Sequence, residues 1–144
     1  MDQTRGDYTI STDPARMDVD AIHAYLSRSY WAEGVPRAIV ERSLLGSLSF
    51  GLFHGGTQVG LARVVTDRAT FAYLCDVYVL EEHQGRGLGR WLIETVMAHP
   101  DLQGLRRFSL VTRDAHGLYS EAGFVPLAAP EGHMEIVRSG LYLR

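Results

Sequence analysis

Cysteine is almost missing from this chain: Cys75 is the only one in 144 residues. No intrachain disulfide can form, which excludes a disulfide-stapled secreted scaffold. No apolar run is long enough to span a bilayer, and the first residues, Met1 to Asp7, contain no apolar stretch of the signal-peptide kind. A cytoplasmic protein without membrane attachment is therefore expected. Charge of one sign is lacking too. Fourteen basic residues against seventeen acidic ones leave a net charge of -3. Arg106, Arg107 and Arg113 are too few to grip a phosphate backbone, so nucleic acid is not an expected partner. The six histidines are scattered without metal-ligand spacing, and no metal is expected.

The composition is otherwise that of an ordinary globular protein, 46% hydrophobic and 22% charged. The length suits one domain over residues 1–144 with a single core. The stretch that organises the chain is Val77-Tyr78-Val79 followed by Gln84-Gly85-Arg86-Gly87-Leu88-Gly89-Arg90. Val77, Tyr78 and Val79 suit a buried strand. From Leu88 the period becomes helical, with Trp91, Leu92, Thr95, Val96 and His99 on one face. Between them, Gly85, Gly87 and Gly89 let a ligand approach the backbone closely. A helix start there would aim N–H groups and a positive dipole end at one spot, an anion site suited to phosphate, with Arg86 and Arg90 beside it. The dinucleotide fingerprint does not fit, because its third glycine would fall on Arg90, and no Walker lysine follows.

The remaining elements alternate. Tyr8 to Ser11 reads as a strand. A helix capped by Asp18 carries Val19, Ile22, Leu26 and Tyr30 on one face, and a second begins at Pro36 and stops at Gly46. Ser49 to Phe53 and Gln58 to Val65 flank a turn at His54 to Thr57, and Thr70 to Leu80 is the long central strand. After the helix from Leu88 to about Ala98 come a strand at Arg107–Thr112, a short helix at Ala115–Ala122, and strands at Phe124–Leu127 and Met134–Val137. The order β-α-α-β-β-β-α-β-α-β-β implies an α/β chain with a mixed sheet and helices on both faces.

The glycine loop resembles the acetyl-CoA loop of the GNAT N-acetyltransferase superfamily, whose signature Gln/Arg-x-x-Gly-x-Gly/Ala is complete in Gln84 to Gly89. A second stretch, Tyr119-Ser120-Glu121-Ala122-Gly123-Phe124, resembles the superfamily's C-terminal helix, with its tyrosine four residues before Gly-Phe. The resemblance implies a GNAT fold and transfer of an acetyl group from acetyl-CoA to the amine of a small-molecule or peptide acceptor. It places pantetheine along Val77, Tyr78 and Val79, pyrophosphate on the amides from Gly85 to Arg90, and Tyr119 at the leaving sulfur. Asp76, the only carboxylate on the central strand, is either the base for the amine or a structural carboxylate. A non-catalytic acyl-CoA-binding module and a transferase of another acyl group are the alternatives, and monomer and homodimer both remain open.

Trp31 and Tyr30, between the first two helices, are candidates for acceptor binding. The resemblance implies that their loop lies opposite the coenzyme, and the helical register offers Tyr30 a plain packing role. Cys75 is expected to pack as a small strand residue. Arg63 and Arg68 are expected to be solvated hairpin charges.

Overall fold

The computed structural model describes residues 2–144. Six strands form one sheet in chain order: β1 (Asp2–Arg5), β2 (Tyr8–Ser11), β3 (Leu48–His54), β4 (Thr57–Thr66), β5 (Phe71–Val79) and β6 (Arg107–Leu110). Neighbours pair antiparallel except β5 and β6, which are parallel. Parallel pairing needs a crossover, and α3 (Leu88–Ala98) supplies it. α1 (Val19–Leu26) and α2 (Arg37–Leu45) cover the other face, and α4 (His116–Glu121) follows β6.

Each boundary has a local cause. The Asp18 side chain accepts from the Ala21 amide at 3.0 Å and caps α1. α2 starts after Pro36 and ends at Gly46. Gly55, at φ 60°, turns β3 into β4. α3 buries Leu88, Trp91, Leu92, Thr95 and Val96, the expected face, against Phe50, Leu52 and Leu74 of the sheet. A second apolar cluster joins Ile22, Leu26, Val35 and Val40 to Leu61 and Tyr78 on the opposite face.

Tyr78 and Leu74 are four residues apart on one strand and would share a face if β5 were regular. They do not, because the β4–β5 register shifts: Leu61 faces Tyr78 while Arg63 faces Cys75. The extra residue lies at Asp76–Val77, with Asp76 at φ 51°. This bulge reverses the phase of the strand, so Leu74 faces α3 and Tyr78 faces α1.

Four expectations differ. β1 was not foreseen, since Asp-Gln-Thr-Arg has no apolar alternation; it pairs through β2 by a turn at Gly6, φ 57°. α1 ends at Leu26, and Tyr30 is 52% exposed rather than part of the buried face. Arg63 is not a solvated charge: its Nε donates to Asp76 Oδ2 and its Nη1 to Ser47 Oγ, both at 2.8 Å. The strands expected at Phe124–Leu127 and Met134–Val137 do not form, and β6 is left as the edge of the sheet. β-forming residues make a strand only when an edge is available to pair with, and a 3-10 turn at Pro130–Gly132 carries this segment past it.

Candidate active site

β5 and β6 are in register from Phe71 with Arg107 to Leu74 with Leu110. Beyond Leu74 they part, so the β6-facing edge of Cys75 to Val79 has no strand beside it. The gap opens into a cleft of about 730 Å³. Val77, Tyr78 and Val79 form its floor; Gln84, Gly85, Leu88 and Gly89 form one end. Tyr119 and Leu118 of α4 close the far side, and Tyr25, Tyr30 and Trp31 line the wall nearest α1.

The end at α3 is built to take an anion. Gly87 is the N-cap, at φ 75°, and it supplies no side-chain cap. Among the described residues, no protein acceptor takes the amides from Gly85 to Arg90. A helix start leaves such donors unpaired unless a side chain, water or ligand meets them. A Cβ built on Gly85, Gly87 or Gly89 meets nothing within 4 Å, so the loop faces open space. Its shape is held from behind, where the Gln84 side-chain amide donates to the Val79 carbonyl at 2.8 Å. Arg90 departs from expectation in one respect, since it pairs with Glu121 of α4 at 2.8 Å. That pair ties α3 to α4 and shares out the charge of Arg90.

Tyr119 is 8% exposed, and burial raises its phenol pKa above the ordinary value, helped by Tyr30 and Asp114. The phenol is therefore protonated at neutral pH and has a proton to donate. Its ring is fixed by Phe124, edge-on with centroids 6.1 Å apart, which accounts for the aromatic residue after Gly123.

On the other side of the β5 edge a smaller cavity, about 270 Å³, continues from the cleft and is bounded by Trp31, Tyr73, Cys75, Asp76 and Tyr119. Here Trp31 Nε1 donates to Asp76 Oδ1 at 2.8 Å while Arg63 holds Oδ2. Both oxygens of Asp76 are thus engaged. Burial pushes the Cys75 thiol up to about 11, against the pull of Arg63. At neutral pH it is a packed thiol and not a nucleophile.

Of the residues singled out in the sequence, Tyr30, Trp31, Val77, Tyr78, Val79, Gln84, Gly85, Leu88, Gly89 and Tyr119 meet at one cleft. Asp76 borders the adjoining cavity. The loop bearing Tyr30 and Trp31 lies beside both spaces, rather than simply opposite the glycine loop. Sequence reasoning missed Tyr25, which stacks on Tyr78 with centroids 3.9 Å apart, and Arg113, which sits 3.7 Å above the Tyr30 ring. No local pattern marks either pair, because each joins residues more than fifty positions apart. Tyr73 was legible only as an alternate residue of the central strand.

Unpaired amides at a helix start, a groove along a bare strand edge and a buried phenol lining it are the features an acyltransferase working on a phosphate-bearing carrier requires. The chain belongs to the GNAT family of acetyltransferases: the family described as Acetyltransferase (GNAT) matches residues 17–124. A crystal structure of a GNAT-family protein from Xanthomonas campestris pv. campestris is 54% identical, with a TM-score of 0.92 over 94% of this chain and 96% of that one. A Gibberella zeae protein named for acetyltransferase activity is 43% identical over 141 residues, covering 82% of this chain and 78% of its own. A Clostridium acetobutylicum structure determined with acetyl-CoA is 12% identical, has a TM-score of 0.65 and covers 90% of this chain and 94% of that one, a likeness of fold. The GNAT family uses acetyl-CoA, and the unpaired amides and open glycine loop fit its pyrophosphate. No helix among the described residues is long and apolar enough to cross a membrane.

Proposed function

We propose that this protein transfers the acetyl group of acetyl-CoA to a primary amine by direct attack within a ternary complex. The observation that carries the reading is that Tyr119, the unpaired edge of β5 at Val77 to Val79 and the uncapped start of α3 line one cleft. The amides from Gly85 to Arg90 receive the pyrophosphate of the carrier. Backbone at Val77 to Val79 aligns the pantetheine arm and offers an N–H to the oxyanion that develops on the thioester carbonyl. The amine nitrogen forms its bond to the carbonyl carbon as the carbon–sulfur bond breaks, and the electron pair leaves on sulfur.

Tyr119 meets that sulfur. A simple phenol has a pKa near ~10 and a thiol near ~8.5, so complete proton transfer is uphill. Burial raises Tyr119 further and widens the gap. Its main contribution is therefore a hydrogen bond to the departing thiolate, which takes its final proton from Tyr119 or solvent. The acceptor enters through the cavity between Trp31 and Tyr73. Asp76 acts there through Trp31, whose indole it orients, while the amine loses its proton through water to bulk.

The test is purified protein with acetyl-CoA and a panel of primary amines, followed by thiol release. The chain contains no lysine, so side-chain self-acetylation adds no background. Acceptor-dependent release that falls sharply in Tyr119→Phe is expected. Acetyl-CoA binding with no release across small amines and peptides would overturn the reading.

A further inference from the structure

Two opposite charges stand where the cleft joins the acceptor cavity, and the fold uses neither. Arg113, on the connection from β6 to α4, reaches across to the loop after α1, where its guanidinium sits 3.7 Å above the Tyr30 ring. Among the described residues no carboxylate pairs with it. Arg28 also lines the cleft and also lies over a ring, that of Tyr25, but Glu81 holds it at 2.9 Å. Asp114, next to Arg113 in the chain, lines both the cleft and the cavity. It too has no ion-pair partner among the described residues, and its charge reaches the phenol of Tyr119.

A guanidinium held over an aromatic face keeps its edge donors for another group, and their fork matches a carboxylate or a phosphate. Position decides between the two. The glycine loop already provides for the pyrophosphate at the other end of the cleft, and Asp114 beside Arg113 disfavours a second group of several negative charges. One negative and one positive charge on a single small molecule suit the pair. The geometry points to a free amino acid as the acceptor, its carboxylate in the fork of Arg113 and its ammonium group drawn to Asp114 beside Tyr119. This rests on the acetyl transfer proposed above and adds the class of amine to it.

The side chain of the amino acid then enters the cavity of about 270 Å³, where Trp31, Tyr73, Leu110 and Val111 offer apolar surface. The remaining carboxylate there, Asp76, is held by Arg63 and Trp31. An apolar or aromatic side chain fits these walls, and a charged one finds no partner. Acetylation removes the positive charge of the amine. The product keeps only its carboxylate, which Asp114 repels, so the same pair that draws the substrate in favours release of the product.

The test compares phenylalanine and leucine with phenethylamine and isoamylamine, the same molecules without the carboxylate, by thiol release from acetyl-CoA. The amino acids are expected to exceed their matched amines in kcat/KM by about tenfold or more. In Arg113→Gln, at an exposed position, that ratio is expected to fall to about one, with acetyl-CoA affinity in calorimetry changed by less than about threefold. Calorimetry of phenylalanine into the CoA-loaded protein reads the same site without turnover, and the binding heat is expected to vanish in Arg113→Gln. Matched amines that react as well as the amino acids overturn the inference and leave the acetyl transfer standing. A large loss of acetyl-CoA affinity in Arg113→Gln assigns the guanidinium to a coenzyme phosphate and overturns it as well. If no acceptor is acetylated, the proposed transfer fails, and Arg113-dependent binding of phenylalanine in calorimetry supports the amino-acid site while its absence overturns it.

Discussion

The indole nitrogen of Trp31, on the loop after α1, donates to Asp76 Oδ1 in the bulge of β5 at 2.8 Å. The hydrogen bond spans forty-five positions of sequence and fixes a flat side chain at the mouth of the cavity assigned to the acceptor. Arg63 completes the arrangement from β4, and with side-chain exposures of 17% and 10% the Arg63–Asp76 pair is shielded from solvent. Trp31→Phe and Asp76→Asn should therefore raise acceptor KM by similar factors and leave acetyl-CoA affinity unchanged. The double variant should be little worse than either, since coupled neighbours depart from additivity by ~0.5–3 kcal/mol. A double-mutant cycle on acceptor kcat/KM checks this, and additive losses would show that Asp76 acts independently of Trp31.

Asp76→Asn should also weaken the fold. Removing one member of a buried pair leaves the other charge uncompensated, at a cost of ~3 kcal/mol. In a chain of this length that lowers Tm by about 5–10 °C. Asp76→Asn with Arg63→Met, which removes both charges, should recover most of the loss in a thermal melt. Failure to recover would mean that the pair is not the source.

At the glycine loop, Gly89→Glu is the sharper probe. Gly87 sits at φ 75°, where any side chain strains the backbone, so Gly87→Glu mixes a folding effect with a binding effect. Gly89 has no such φ and open space at its Cβ. A carboxylate there repels pyrophosphate. Calorimetry should show acetyl-CoA affinity lower by about a hundredfold or more, with Tm within a few degrees of wild type. Unchanged affinity would remove the loop from the coenzyme site.

Tyr119→Phe should lower kcat by ~10²-fold or more with little change in acetyl-CoA affinity. In the wild type, the alkaline limb due to Tyr119 should lie above pH 10, because burial raises the phenol. A limb near pH 8 that disappears in the variant would contradict that environment. A kcat close to wild type, under conditions where chemistry limits turnover, would leave Tyr119 a packing role.

Cys75 provides a check on the strand. With its thiol pushed up to about 11, the folded protein should react with iodoacetamide at pH 8 about a hundredfold more slowly than the unfolded chain, where the thiol is near 9. The linkage has one sign. The folded state holds the proton more tightly, so Cys75's contribution to stability is complete below pH 9 and is lost as pH rises from 9 toward 11. Alkylation kinetics and urea midpoints across that range test both statements.

Much of the site was legible along the chain because its chemistry is local. Gln84 to Gly89 brings three glycines, with unpaired amides from Gly85 on, to a helix start, and the change to helical period at Leu88 says where that helix must start. Tyr119 before Gly123-Phe124 was recognisable for the same reason, since cap, ring and phenol lie within one turn and a half. Elements stabilised by their own periodicity, such as α3 and the β3–β4 hairpin, came out with nearly the right boundaries.

What the sequence by itself determined, then, is the set of parts whose physics is settled within about ten residues: the helix starts, the hairpin turn, the glycine-rich loop and the short helix that carries Tyr119. Tertiary structure alone decided the rest. The β5 bulge reverses the strand's phase and places Tyr78 and Leu74 on opposite faces, and it is visible only in the register with β4. The Trp31–Asp76–Arg63 chain and the Tyr25–Tyr78 stack join residues that no short-range pattern connects. The C-terminal segments show the limit most directly. Their residues favour strands, but a strand's backbone groups need a neighbour in space, and its identity is a property of the packed molecule and not of the segment.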